Sequence, residues 1–132
     1  MKALDTNVVV RFLVGDDAAM AAKALRVLDD AHETGSPLLV TNLVLLESMW
    51  VLGSAYALTR GDILDAFERL LDMPALRFES RGLMLDFVRR ARASTFDLAD
   101  ILIALHSRMH NCSTTLTFDK KAARSEMFEE IA

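Results

Sequence analysis

Leu38-Leu39-Val40-Thr41-Asn42-Leu43-Val44-Leu45-Leu46-Glu47-Ser48-Met49-Trp50 opens the most apolar stretch of the chain, which continues to Leu58. Its length approaches that of a membrane span, but Asn42 and Glu47 lie in its middle. A carboxylate at the centre of a span is costly, so the stretch reads as a buried strand, Leu38–Val40, followed by a buried helix. Asn42 is placed to cap that helix, which is expected to run to about Ala57.

The same alternation extends in both directions. Upstream, Lys2–Asp5 is a short β-like run, followed by a helical stretch from Val8 to about Val14. Asp16 and Asp17 offer caps for a helix through Ala31, with Ala21, Leu25 and Leu28 on one face. Gly35-Ser36-Pro37 marks a turn. Downstream, Arg60-Gly61-Asp62 breaks the chain before a helix over Ile63–Leu71, which Pro74 ends. A strand at Leu76–Phe78, a helix from Ser80 through Ala91 and a helix over Leu98–Met109 follow. Thr114–Phe118 is the clearest strand because it is rich in β-branched residues. Asp119 starts a short helix, and Phe128–Ile131 forms a fifth strand. Strands alternating with helices predict an α/β fold of three layers, with a central parallel sheet of four to five short strands flanked by helices. The 132 residues read as one domain, 1–132, without repeats or low-complexity tracts.

Composition narrows the setting. The chain is 52% apolar and 26% charged, as globular domains are. Its single cysteine, Cys112, cannot form an internal disulfide, and the N-terminus lacks the pattern of a signal peptide, so a cytoplasmic location is expected. A net charge of −4 argues against bulk electrostatic binding of nucleic acid, unless the acids hold cations that reverse the local sign.

Several acids fall where an α/β sheet places its chemistry, beyond the carboxyl ends of strands. Asp5 and Asp119 sit at such junctions. Asp119 also suits an N-cap, whereas Asp5 is followed by Thr6 and Asn7, which could themselves cap. Glu47 has Leu43, Val44, Trp50 and Val51 at helical spacing; on an apolar face it needs a partner or a metal. Asp97 is the better cap of the next helix, which leaves Asp100, one turn in, as the better site acid. Acids gathered together repel, and a divalent cation relieves that repulsion; oxygen-only ligation favours Mg²⁺ or Mn²⁺. Such ions suit phosphodiester hydrolysis.

Other chemistries find little support. His106 and His110 have a helical pair spacing, but Ser107 stands where a zinc-protease motif carries Glu. Met49, Met73, Met84 and Met109 read as core, and Cys112 as a half-buried small residue. Arg11, the Arg89, Arg90 and Arg92 cluster, and Lys120, Lys121 and Arg124 read as solvated faces that can also meet a nucleic-acid backbone.

In order, Leu4-Asp5-Thr6-Asn7, the helix with Glu47, Asp97-Leu98-Ala99-Asp100-Ile101-Leu102-Ile103-Ala104 and Leu116-Thr117-Phe118-Asp119 together resemble the PIN-domain ribonucleases, specifically the VapC-type toxins of prokaryotic toxin–antitoxin pairs. The resemblance spans almost the whole chain. It implies Mg²⁺- or Mn²⁺-dependent endonucleolytic cleavage of RNA, with Asp5, Glu47, Asp100 and Asp119 as the acidic site and Asp5 and Asp100 as metal ligands. It gives Thr6, Asn7 and Asp97 supporting positions. It also implies a homodimer and inhibition by a VapB-type antitoxin. Two rivals compete with it: a non-catalytic interaction protein of the same fold, against which the intact acids speak, and an aspartyl-nucleophile phosphatase, which expects a second acid where Asn7 stands.

Overall fold

The computed structural model describes residues 1–132, which divide into two compact units, Met1–Arg81 and Gly82–Ala132. The first unit holds β1 (Lys2–Ala3), α1 (Thr6–Val14), α2 (Ala18–Thr34), β2 (Leu38–Val40), α3 (Asn42–Ser54), α4 (Arg60–Leu71) and β3 (Leu76–Phe78). Its strands form a parallel sheet in the order β1-β2-β3, with Lys2 opposite Leu38 and Leu38 opposite Leu76. Parallel neighbours need a crossover, and each crossover here is a pair of helices. The carboxyl ends of all three strands therefore face one way, and Asp5, Thr41 and Glu79 follow them at that edge.

The core of this unit is built from helices around the sheet. Val9 and Val10 of α1, Leu45, Met49 and Leu52 of α3, and Ile63, Leu64, Phe67 and Leu70 of α4 are buried, and Val40 is fully enclosed. Helix α1 packs on both α2 and α3. Helix α2 buries Ala24, Leu28 and Ala31, not the face that includes Leu25, which is exposed. Small alanines let α2 lie close to its neighbours, so the buried stripe is set by size as much as by apolar count.

Local signals decide where the helices begin and end. Thr41, not Asn42, caps α3, its Oγ1 accepting from the Val44 N–H at 3.3 Å. Asn42 is then the first helical residue. α3 stops at Ser54, short of Ala57, whose φ of 52° lies in the left-handed region and cannot continue a helix. Arg60-Gly61-Asp62, expected as a break, is already inside α4, because Thr59 caps it through the Asp62 N–H at 3.1 Å. Gly35 ends α2 with φ 66° and donates to the carbonyls of Ala31 and His32, the glycine-terminated helix end that only a residue without Cβ adopts cheaply.

The second unit holds α5 (Arg81–Arg92, whose first residue closes the preceding unit), α6 (Leu98–Met109), β4 (Thr115–Thr117) and β5 (Phe128–Glu130). β4 and β5 are parallel, Thr115 opposite Phe128 and Thr117 opposite Glu130, so the expected fifth strand is present, one residue shorter than Phe128–Ile131. The link between them holds one 3₁₀ turn, Ala122–Arg124, where a short helix was expected from Asp119. Met84, Phe87 and Val88 of α5, Ile101, Leu102 and Leu105 of α6, and Ala122 and Met127 form its core. The α/β class with parallel strands is as expected; the hydrogen bonds divide the strands into a three-stranded and a two-stranded sheet. Of the methionines assigned to core, Met49 and Met84 are buried whereas Met109 is exposed, and Cys112 is an exposed free thiol. No helix is long and apolar enough to cross a membrane.

Candidate active site

Asp5 is exposed and caps α1, its Oδ1 accepting from the Val8 N–H at 3.0 Å. The capping role therefore falls to Asp5 itself, and Thr6 and Asn7 are the first two helical residues. Capping needs one oxygen. Oδ2 makes no hydrogen bond, so the carboxylate keeps an anionic donor at the carboxyl edge of the sheet.

Asp97 and Asp119 repeat this arrangement in the second unit. Asp97 Oδ1 accepts from the Asp100 N–H at 3.0 Å and starts α6, as its spacing predicts. Asp119 Oδ1 accepts from the N–H groups of Lys121 at 2.8 Å and Ala122 at 3.2 Å. Its own N–H donates to Thr117 Oγ1 at 3.0 Å, which fixes the turn after β4. Engagement of Oδ1 by the backbone is thus compatible with the expected site role of Asp5 and Asp119, as it is with the supporting position of Asp97.

Asp100 is half-buried and its carboxylate has no hydrogen-bond partner. Burial pushes its pKa above the ordinary carboxylate value, and the charges of Asp97 and then Asp119 push it further the same way. Asp97, Asp100 and Asp119 therefore share one field. No cation from the protein offsets it. An acid whose folded pKa is raised binds its proton more readily folded than unfolded, so its charge costs stability above the usual carboxylate range and the cost fades in acid. Asp100→Asn is accordingly expected to raise the metal-free melting temperature at pH 7 by roughly 1–3 °C, an advantage that shrinks as the pH falls through the raised folded pKa and is gone below the ordinary carboxylate range. Paired thermal scans check both the sign and its pH dependence.

Glu47 departs from its sequence reading. It lies on the outward face of α3, exposed, and makes no ion pair. The apolar neighbours that suggested a buried carboxylate, Leu43 and Trp50, are themselves 78% and 69% exposed. A solvated Glu needs no partner, so burial does not argue for Glu47 as a ligand. The helix is apolar all round, and periodicity alone could not say which side faces water.

Two polar residues at the carboxyl edge, Glu79 and Asn42, have partners that their spacing did not suggest. Glu79 follows β3 and its Oε1 accepts from the Asn42 N–H at 2.9 Å, at the start of α3. Asn42 is 5% exposed, donates to Ser80 Oγ at 3.4 Å, and leaves Oδ1 without a partner. A pairing across 37 residues has no local sequence signal. The basic residues are also more committed than solvated faces would be. Arg11 binds Asp16 at 3.0 Å, Arg90 binds Asp86 at 3.2 Å, and Arg89 pairs with Asp86. Asp16 is pushed up by burial, but the hydrogen bonds from Arg11 and Tyr56 outweigh this and hold its pKa below the ordinary value. Lys120 and Lys121 remain exposed beside Asp119.

The donor set suits a hard divalent cation, because its free groups are carboxylate oxygens with no thiolate or imidazole among them. No three of the chain's His, Cys, Asp or Glu side chains are gathered closely enough to form a protein-only ligand set. Mg²⁺ does not require one: it commonly takes one or two carboxylates and completes its octahedron with water and substrate phosphate.

A parallel α/β fold with aspartates at strand ends and mutually repelling carboxylates is compatible with the class of acidic-site nucleic-acid hydrolases. The particular family follows from comparison: the model of the PIN domain matches residues 2–126, and the chain belongs to that family. PIN domains are in general nucleases and usually use divalent metals, which supports nuclease chemistry here at the level of the class. No curated protein and no solved structure matches the chain.

Proposed function

We propose that this protein is a metal-dependent endoribonuclease, the toxin of a VapBC-type toxin–antitoxin pair. The observation that carries the proposal is the Asp97–Asp100–Asp119 cluster, whose repulsion raises the Asp100 pKa, within a chain of the PIN family. Asp5, Glu47, Asp100 and Asp119 are its acids, and Asp5 and Asp100 hold Mg²⁺, or Mn²⁺ in its place. Thr6, Asn7 and Asp97 support them, Asp97 by fixing the start of α6. The family match runs across both compact units, which supports one functional domain over 1–132.

When bound, the cation would supply charge neutralisation at the phosphodiester and acidify a water. The protein's own contribution is placement. Backbone N–H groups hold Asp5, Asp97 and Asp119 through Oδ1 while each Oδ2 makes no hydrogen bond. Asp100, with neither oxygen engaged, gains most from a cation because it has the most repulsion to lose. Lys120 and Lys121 lie next in sequence to Asp119 and suit contacts to the RNA backbone.

The exposed Leu43 and Trp50 on α3 support the partner assignments, a second copy of the chain and a VapB-type antitoxin, because interfaces enrich such side chains. The setting is the cytoplasm. The test is cleavage of a mixed-sequence RNA by the separated chain. Cutting in Mg²⁺ that a chelator stops is expected. Absence of cutting in Mg²⁺ and Mn²⁺ alike, with the chain still binding its antitoxin, would instead establish the non-catalytic interaction protein.

A further inference from the structure

The amino ends of β2 and β3, where Pro37 and Pro74 enter the strands, frame a cavity of about 590 Å³. It runs along edge strand β3 from Pro74 to Phe78 and reaches Arg81, and Asp5 is not among its lining residues. The ionisable side chains lining it are His32, Arg77 and Arg81, and no carboxylate joins them. In a chain of net charge −4, that is an unusual local sign. Arg81 is fixed by donating from Nη1 to the Leu71 carbonyl at 2.5 Å. Arg77, in the middle of edge strand β3, is exposed and makes no ion pair. A cation on an edge strand also discourages strand addition, but that purpose calls for neither a concave site nor a second guanidinium.

A smaller, mainly apolar groove, lined by Phe12, Leu25, Leu28 and Met73 with one carboxylate, Asp29, adjoins the cavity and shares His32, Pro74 and Ala75 with it. Guanidinium forks match phosphate oxygens, and an apolar wall suits the face of a base, so the pair of depressions fits nucleotides. We propose that this cavity, which none of the site acids lines, is an exosite for the backbone of an RNA strand, with Arg77 and His32 as its phosphate contacts. The proposal rests on the ribonuclease reading above. It adds that long substrates are held along β3 as well as at the acidic residues.

The test compares the wild type with the double variant His32→Ala, Arg77→Ala, and with Lys23→Ala as a charge control on α2, nine residues or about 13 Å from His32. All three side chains are exposed, so folding is expected to survive, and circular dichroism checks it. In chelator, the double variant is expected to bind a 20-nucleotide RNA roughly tenfold more weakly. Its salt slope should fall by about 0.7 for each phosphate it no longer neutralises. In Mg²⁺, kcat/KM should drop for the 20-mer and stay unchanged for a dinucleotide, whose single phosphate is the one cut. Lys23→Ala should match the wild type. Equal affinity and slope for the wild type and the double variant, with the wild type still cutting RNA, overturns the exosite and leaves the ribonuclease reading standing. Adenosine monophosphate that binds the wild type but not the double variant, while both hold the 20-mer equally, reassigns the cavity to a free nucleotide and overturns the RNA assignment. A wild type that cuts no RNA removes the reading beneath it.

Discussion

Asp5→Asn is expected to lower Mg²⁺-dependent RNA cleavage by more than about 100-fold while leaving the metal-free melting temperature nearly unchanged. The two halves of this expectation come from different oxygens. Oδ1 caps α1 through the Val8 N–H, and asparagine caps a helix about as well as aspartate, so the fold keeps its cap. The charge is lost, and with it an anionic ligand; removing even an outer partner of a ligand typically costs 10- to 100-fold in affinity or activity, and a direct ligand costs more. Asp5→Ala separates the roles further: it should lose activity equally and about 1 kcal/mol of stability besides. Cleavage assays with paired thermal scans read both effects. Retained cleavage by Asp5→Asn would take Asp5 out of the site.

The largest expected loss of stability belongs to Phe67→Ala. Phe67 is 1% exposed, on the face of α4 that also buries Ile63, Leu64 and Leu70. Truncation removes most of a ring from a close-packed environment and leaves a cavity that the helix backbone cannot collapse, at a cost of about 3–5 kcal/mol. Domains of this size are stable by only about 5–15 kcal/mol, so the variant should melt far below the wild type. Urea unfolding checks the figure. A shift in midpoint worth less than about 1 kcal/mol would mean that the α4 core is not packed as described.

The parts of the fold that are legible in the sequence are those governed by local chemistry. Asp97 caps α6 where its spacing to Asp100 says it should, and the β-branched run at Thr115–Thr117 is a strand. Helix faces are less legible. Leu25 of α2 and Leu43 and Trp50 of α3 look like core by residue type, yet face water, because the sides of a helix are chosen by its neighbours. The same ambiguity makes Glu47 look buried. At the candidate site, residue types and chain order pick out candidate acids, whereas their hydrogen bonds are out of reach. Nothing local reveals that Glu79 serves the start of α3, or that Arg11 is committed to Asp16 and Tyr56. Nor does spacing reveal that a capping aspartate such as Asp5 keeps its second oxygen free, since a cap uses only one.

If Asp5 and Asp100, distant in the chain, serve a single cation, a paramagnetic ion bound there must lie close to both. Substoichiometric Mn²⁺ added to isotope-labelled protein reads this directly, because such an ion broadens the amide signals nearest to it. Simultaneous broadening around Asp5 and Asp100 is expected, relieved by excess Mg²⁺ and lost in Asp5→Asn. Broadening confined to Asp97, Asp100 and Asp119, with the signals of Asp5 to Asn7 untouched, would refute the shared site.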